Sequence, residues 1–274
     1  MAKNLFILRK IAETTVTKTI TELIKAGDVT LVSLLIEAGE DVSVDDSHAL
    51  RYACARGQTD IVRLLLDLPP ERGVNPAARD NHAFKLACDI GYTQIVQLLI
   101  DLPLERGVNP TATSNSAFRR ACEYGRTEIV RLLLDLPPER GVDPAADDNF
   151  ALRIASEKGH TEIVCMLLEL PLERGVNPAA ENNVPLRYAS ENGHTHIVRL
   201  LLDLPPDRGV DPAADDNFAL RIASEKGHTE IVRMLLDLPL ERGVAACDNE
   251  ALRIASTHTE GVHLVEANKV DTFV

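Results

Sequence analysis

An Ala or Pro, then Leu or Phe, then Arg or Lys, then one free position and an Ala: this pattern begins at Ala49, Ala83, Ala117, Ala151, Pro185, Ala219 and Ala251. The first five intervals are each thirty-four residues and the last is thirty-two. Between the copies run G-x-T-x-I-V, a Leu-rich stretch, and Asp or Glu followed by Leu-Pro and then Arg-Gly-Val. Self-similarity at such a period means stacked supersecondary units, each too small to bury its own apolar face. The eighteen residues from Asp147 to Val164 recur unchanged from Asp215 to Val232. A catalytic constellation is assembled once per domain from residues with different roles, so copying of this kind points to a modular interior.

Each unit reads as two helices. Asp148 or Asn149 is placed to cap the first, with Ala151, Leu152 and Ala155 on one face and Gly159 ending it. Thr161 is placed to cap the second, where Ile163, Val164, Leu167 and Leu168 form a wide apolar stripe, and Pro171 stops the helix. Pro-Pro and Pro-Leu alternate strictly after the second helix, from Pro69-Pro70 to Pro239-Leu240, so the duplicated block is two units long.

The ends diverge as capping units do. Thr17 to Val42 reads as a helix pair turning at Gly27, with a leading helix over Asn4 to Ala12. The last copy carries Gly261 and Glu266 where the others keep Ile and Leu. This gives an N-terminal cap over 1–45, six repeats over 46–246, and a worn terminal repeat and tail over 247–274.

Composition narrows the functional classes. Aromatics are only 4% of the 274 residues and Trp is absent, so burial rests on Leu, Ile, Val and Ala, a helical palette. A formal net charge of -13 argues against a general nucleic-acid binder and against an anionic membrane surface. Leu5 to Leu8 is too short for a signal-peptide core, and Asp, Arg or Pro interrupts every later Leu-rich run, so membrane insertion is not expected. Cys54, Cys88 and Cys122 are spaced one repeat apart, in a slot that later holds Ser156, Ser190, Ser224 and Ser256. They read as small buried side chains, with no CxxC or metal spacing. The expectation is an intracellular, cytoplasmic monomer.

With LVSLLIEAGEDV, GQTDIVRLLL and GHTEIVRMLL matching its second helix, the chain resembles the ankyrin-repeat family from Thr17 to Asn268. The resemblance implies an all-α solenoid of stacked helix-turn-helix repeats that presents a concave face to a protein partner. Two departures stand out. Where the family has T-P-L-H, an Arg or Lys replaces the bridging His (Arg51, Lys85, Arg119, Arg153, Arg187, Arg221, Arg253), so that network must be rebuilt from a side chain that only donates. The connector is shortened to sequences such as GVDPAADDN, with Pro144 and Pro178 removing ladder donors, so compact turns are expected in place of β-hairpin fingers.

The resemblance places partner contacts at the connector tip, at the two residues before the inter-helix Gly and at the residue after it. Repeats four and six carry one solvated pattern there (Asp147, Asp148, Glu157, Lys158, His160, and the same again from Asp215). The first three break it with Arg56, Arg79, Asp89, Ile90, Tyr92, Thr113, Ser114, Glu123, Tyr124 and Arg126. Aromatic and Arg side chains are the usual interface anchors, so Arg56, Arg79, Ile90, Tyr92, Tyr124 and Arg126 are the candidate partner-binding residues. His160, His194 and His228 share one turn slot and are spaced too far apart for a single metal ion.

The tail Asp271 to Val274 resembles PDZ-domain ligands through Thr272 and Val274, which makes an adaptor or spacer role the alternative; a regulatory subunit of a larger enzyme is a further one. Ankyrin-like arrays also occur among host-directed effectors of intracellular microbes. No Gly-rich phosphate loop, H-E-x-x-H or G-x-S-x-G is present, and the expectation is a non-catalytic scaffold without cofactor or metal.

Overall fold

The computed structural model describes residues 18–69 and 71–239. Among the described residues every regular element is helical. The chain divides by its packing into two units, Met1–Asp143 and Pro144–Val274. The first holds the leading pair α1 (residues 18–26) and α2 (Val29–Glu37), then α3 (Val44–Arg56) with α4 (Thr59–Leu66), α5 (Ala78–Ile90) with α6 (Thr93–Ile100), and α7 (Ala112–Glu123) with α8 (Thr127–Leu134). The second holds α9 (Ala146–Lys158) with α10 (Thr161–Leu168), α11 (Ala180–Glu191) with α12 (Thr195–Leu202), and α13 (Ala214–Lys226) with α14 (Thr229–Leu236). Within each unit first helices stack on first helices and second on second, as α3, α5, α7 and α9, α11, α13 do. The helix proposed at Asn4 to Ala12, the terminal repeat over 247–274, Cys247, Thr272 and Val274 lie outside the described residues.

Stacking is what makes the short helices stable. At eight residues α4 is below the length that holds alone in water. Its Ile61, Val62, Leu65 and Leu66 are nonetheless at most 6% exposed, because α2 and α6 cover them on either side. Burial at about 1.5–3 kcal/mol per such side chain outweighs the marginal helix. On the first helices, Ala49, Leu50, Ala53 and Cys54 of α3 and Phe84 and Phe118 of α5 and α7 are sealed in the same way.

The expected caps are corrected. Asp148 and Asn149 do not cap α9. Asp147, Asp148 and Asn149 lie at φ 59, 53 and 60°, one turn of left-handed helix ahead of the right-handed one, closed by Asn149 N–H donating to the Ala145 carbonyl at 2.9 Å. The same three slots are left-handed in all six described repeats, at Asp45–Ser47, Arg79–Asn81, Thr113–Asn115, Glu181–Asn183 and Asp215–Asn217 as well. L-residues lose roughly 1–2 kcal/mol each in this region, and Asn and Asp tolerate it best; they fill thirteen of the eighteen positions. Thr161 is likewise not the cap of α10. His160 occupies that position without a side-chain bond to the helix, and the Thr is the first helical residue. At the leading pair, Asp28 does cap α2, accepting from Leu31 N–H at 2.9 Å.

The third left-handed residue binds the next repeat. Its side-chain oxygen accepts a backbone N–H twenty-eight residues on: Ser47 from Asn75 at 2.7 Å, Asn81 from Asn109 at 2.8 Å, Asn115 from Asp143 at 3.1 Å, Asn149 from Asn177 at 2.7 Å and Asn183 from Asp211 at 2.9 Å. These acceptors are buried. The missing His bridge is rebuilt by Arg: Arg51 donates to the Asp45 and Asp46 carbonyls at 2.8 and 3.0 Å, and Arg221 to those of Asp215 and Asp216 at 3.2 and 2.9 Å.

The connectors are compact, as expected from their prolines. Pro103, Pro171 and Pro205 each lead into a single turn of 3-10 helix, Leu104–Arg106, Leu172–Arg174 and Pro206–Arg208. The connector Arg reaches back to the open C-terminal carbonyls of the second helix one repeat earlier: Arg72 to Ile36 at 2.8 Å, Arg106 to Leu66 at 3.3 Å and Arg208 to Leu168 at 3.2 Å. Cys54, Cys88 and Cys122 are free and buried, and burial pushes their thiols up. The serines that replace them in the second unit, Ser156, Ser190 and Ser224, are buried with hydroxyls that meet no acceptor.

Two outcomes follow for stability. Asn149→Ala, which loses both a buried acceptor and a residue tolerant of left-handed backbone, lowers unfolding free energy by about 2–4 kcal/mol in urea titrations; Asn149→Gly loses roughly half of that, and Asn149→Asp is nearly neutral. Equal losses for Ala and Asp would remove the acceptor role. Ser190→Cys raises stability by about 1 kcal/mol, because a thiol is cheaper to bury without a partner than a hydroxyl; a lowered urea midpoint would contradict this.

Candidate functional site

In the first unit the left-handed turns and the first helices α3, α5 and α7 line one side of the stack. The inter-helix glycines end these helices, and the side chain that follows each Gly packs on the repeat before it. Gly57 has φ 71°, and a Cβ built there would lie 2.6 Å from the Tyr92 ring, so only Gly admits the aromatic. Arg126 occupies the same slot over Gly91 and donates from Nε to the Asp89 carbonyl at 3.0 Å. His194 over Gly159 and His228 over Gly193 repeat the arrangement, their Nε2 atoms 2.8 and 3.0 Å from the Glu157 and Glu191 carbonyls. Tyr92 and Arg126, expected as solvent-facing candidates, are therefore half-buried in the stacking contact.

The other candidates face solvent. Arg56 is exposed at the end of α3. Arg79, first of the left-handed residues in its repeat, bridges Asp45 and Asp46 at 3.0 Å each. Ile90 is 38% exposed and Tyr124 42%, in the equivalent slot one repeat on. Beside them stands a group whose centre the sequence reading passed over. Arg120 pairs with Asp89 at 2.6 Å, places its guanidinium 5.2 Å from the Tyr124 ring centroid and donates to the Tyr124 hydroxyl at 3.3 Å. The Asp89 carboxylate raises the Arg120 pKa through that hydrogen bond. The i,i+4 spacing of Arg120 and Tyr124 was the available signal, as was a charge in a slot that holds Tyr52, Leu86, Ile154, Tyr188 and Ile222 in the other repeats.

Cations outnumber carboxylates on this side of the first unit. His48 is lowered by burial first and then by Arg51, and His82 by burial, then Arg51, Lys85 and Arg79. Arg51 itself is lowered by burial and by Arg79. His48 stacks on Tyr52 with ring centroids 5.7 Å apart. Counting residues 45–58, 79–92 and 113–126, seven Lys and Arg face five Asp and Glu; the same slots of the second unit, 147–160, 181–194 and 215–228, hold five against eight.

In the second unit two rungs of the Arg ladder are neutralised by the next repeat. Arg153 meets Glu181 of the next repeat at 2.6 Å, and Arg187 meets Asp215 at 2.8 Å and covers the Phe218 ring at 4.5 Å. Glu157 and Lys158 pair at 2.8 Å. An open groove there is lined by Gly159, Thr161, Gly193, His194, Thr195, His196 and Glu230. Among the described residues no group of three or more His, Cys, Asp or Glu is arranged to hold a metal ion, and no helix is long and apolar enough to cross a membrane.

Comparison with known proteins agrees with this geometry. A family model described as Ankyrin repeats (3 copies) matches residues 20–114, 84–182 and 152–244. Among solved structures, the crystal structure of the ankyrin repeat domain of Bcl-3, described as a unique member of the IkappaB protein family, is 27% identical. It aligns over 68% of this chain and 84% of that one, with a TM-score of 0.51. No curated relative matches the chain. The matched segments together span most of the sequence and coincide with the helix pairs described above: the chain belongs to the ankyrin-repeat family.

Proposed function

We propose that this protein is a non-catalytic scaffold that binds a protein partner on the first-helix side of its first three repeats. Ankyrin repeats are interaction modules, and the observation that supports this location is the exposure of Ile90 and Tyr124. Both are large apolar side chains in the slot before the inter-helix Gly, where the other repeats carry Arg56, Lys158, Asn192 and Lys226. Exposed apolar side chains on neighbouring repeats, with Arg56, Arg120 and Arg126 around them, have the composition of an interface centre. The stack is rigid before the partner arrives, so little ordering cost opposes binding.

Tyr92 and Arg126 contribute by holding α5 and α7 in register, and Arg79 by fixing the turn at Asp45 and Asp46. The test therefore uses the exposed pair. Ile90→Ser with Tyr124→Ser weakens capture of the partner by about thirtyfold, the effect of losing roughly 2 kcal/mol of anchor contacts. Thermal unfolding stays close to that of the parent, since neither side chain is in the core. Arg199→Ala, on the second helices of the second unit, serves as the control and leaves capture unchanged. Undiminished capture by the double variant would move the site elsewhere.

A further inference from the structure

The Arg ladder follows a rule in the second unit that the first unit breaks. There, the cation in the third slot of the first helix meets a carboxylate in the first left-handed position of the next repeat, Arg153 with Glu181 and Arg187 with Asp215. In the first unit the acidic position is filled by Arg79 opposite Arg51 and by Thr113 opposite Lys85. Arg51 falls back on its own repeat, 3.9 Å from Asp45, a carboxylate it shares with Arg79. Among the described residues, Lys85 meets the Thr113 hydroxyl, at 3.5 Å, and no carboxylate. Its neighbour His82 is exposed. The Lys85 rung therefore lacks the counter-charge that Arg153 and Arg187 receive, whereas at the first rung Asp45 and Asp46 serve both Arg51 and Arg79, in a chain whose net charge is -13.

We propose that an acidic protein segment supplies the missing carboxylate, seating an Asp or Glu side chain beside Lys85 and Thr113, while an apolar residue of the same segment rests on Ile90 and Tyr124. This deepens the reading given under Proposed function and rests on it for the apolar contact. The chemistry is that of the closed rungs: a carboxylate at 2.6–2.8 Å from the cation, as Glu181 and Asp215 achieve within the chain. Charge complementarity of this kind sets partner choice and association rate more than total affinity.

The sequence offers its own competitor. Thr113→Asp restores the rule of the second unit, replacing the 3.5 Å contact of Lys85 with the Thr113 hydroxyl by an internal carboxylate, and so blocks the site. The probe is a labelled synthetic peptide in which Asp and Glu alternate with Leu, compared by fluorescence anisotropy with its Asn and Gln counterpart and with a single-stranded oligonucleotide. The acidic peptide binds the full chain at least about tenfold more tightly than the amide peptide, and its affinity falls with added salt. Thr113→Asp and Lys85→Glu each weaken it by about tenfold or more, Thr113→Ser does not, and Thr113→Asp melts no lower than the parent.

Equal affinity for the acidic and amide peptides, unchanged binding by Thr113→Asp, or a preference for the oligonucleotide overturns the assignment. The two readings separate cleanly. If Ile90→Ser with Tyr124→Ser abolishes partner capture while Thr113→Asp leaves peptide binding intact, the open rung is not the site but the protein-binding face stands. If Thr113→Asp blocks the acidic peptide while the Ile90 and Tyr124 variant keeps its partner, the rung stands and the apolar anchor falls.

Discussion

Among the described residues, no repeat is chemically complete without its neighbour. The apolar side of this dependence is general to stacked helix pairs: an eight-residue helix such as α4 exists because α2 and α6 cover Ile61, Val62, Leu65 and Leu66. The polar side is particular to this chain. In five of the described connectors a backbone N–H is satisfied by an Asn or Ser side chain of the repeat before. The open carbonyls of a second helix are met by the connector Arg of the repeat after, and the carbonyl near the end of a first helix by Arg126, His194 or His228. Removing a repeat therefore strips both apolar cover and hydrogen-bond partners, and the interface between repeats is specified in register as well as held together.

The left-handed turns show how a costly local conformation is made unavoidable. Three consecutive left-handed residues without glycine are unfavourable by a few kcal/mol in isolation. In every described repeat the turn is closed by its own N–H to carbonyl bond and filled mainly with Asn and Asp. In the first and sixth an Arg also grips the carbonyls of the first two residues. This accounts for the Arg that stands where the resemblance led one to look for His. A guanidinium is a planar fork of donors and can hold two adjacent carbonyls at once, whereas a neutral imidazole has one donor and one acceptor. The shortened connector and the changed residue belong to one solution: the carbonyls of a tight left-handed turn point together, and they need donors.

The period, the helix pairs, their apolar stripes and the compactness of the connectors were legible from spacing and from Gly and Pro alone, because those properties are set by local backbone preference and by burial. The left-handed turns were not. Asp-Asp-Asn before an apolar helix is the composition of an N-cap, since the short polar side chain that binds a nearby backbone N–H is also the one that tolerates positive φ. The positive φ of Asp147 to Asn149 and the position of the Asn149 oxygen, 2.7 Å from an N–H twenty-eight residues away, separate the two readings. At the candidate site, Ile90 and Tyr124 could be found as departures from the repeat. Tyr92 and Arg126 depart equally, yet they sit in the His194 and His228 slot, where the side chain is committed to the preceding repeat. A departure in a repeat marks either a partner or a substitute for the same internal contact, and the slot's geometry decides which.

That distinction explains where such an array can vary. Slots facing inward are constrained from both sides, and repeats four and six keep them identical to the last residue over eighteen positions. A ladder rung is different, because its cation stays useful to the turn whether or not a carboxylate arrives from the next repeat. Arg51 holds the Asp45 and Asp46 carbonyls while Arg79 stands where an acid would be, and Lys85 is tolerated opposite Thr113. Losing the carboxylate of an exposed pair costs the fold well under 1 kcal/mol, but it leaves a positive charge at a fixed height on a rigid surface. The stability of the stack and the charge pattern it displays are thereby decoupled, so a chain built by copying can acquire a distinctive face in its first three repeats without disturbing the interior that makes them fold.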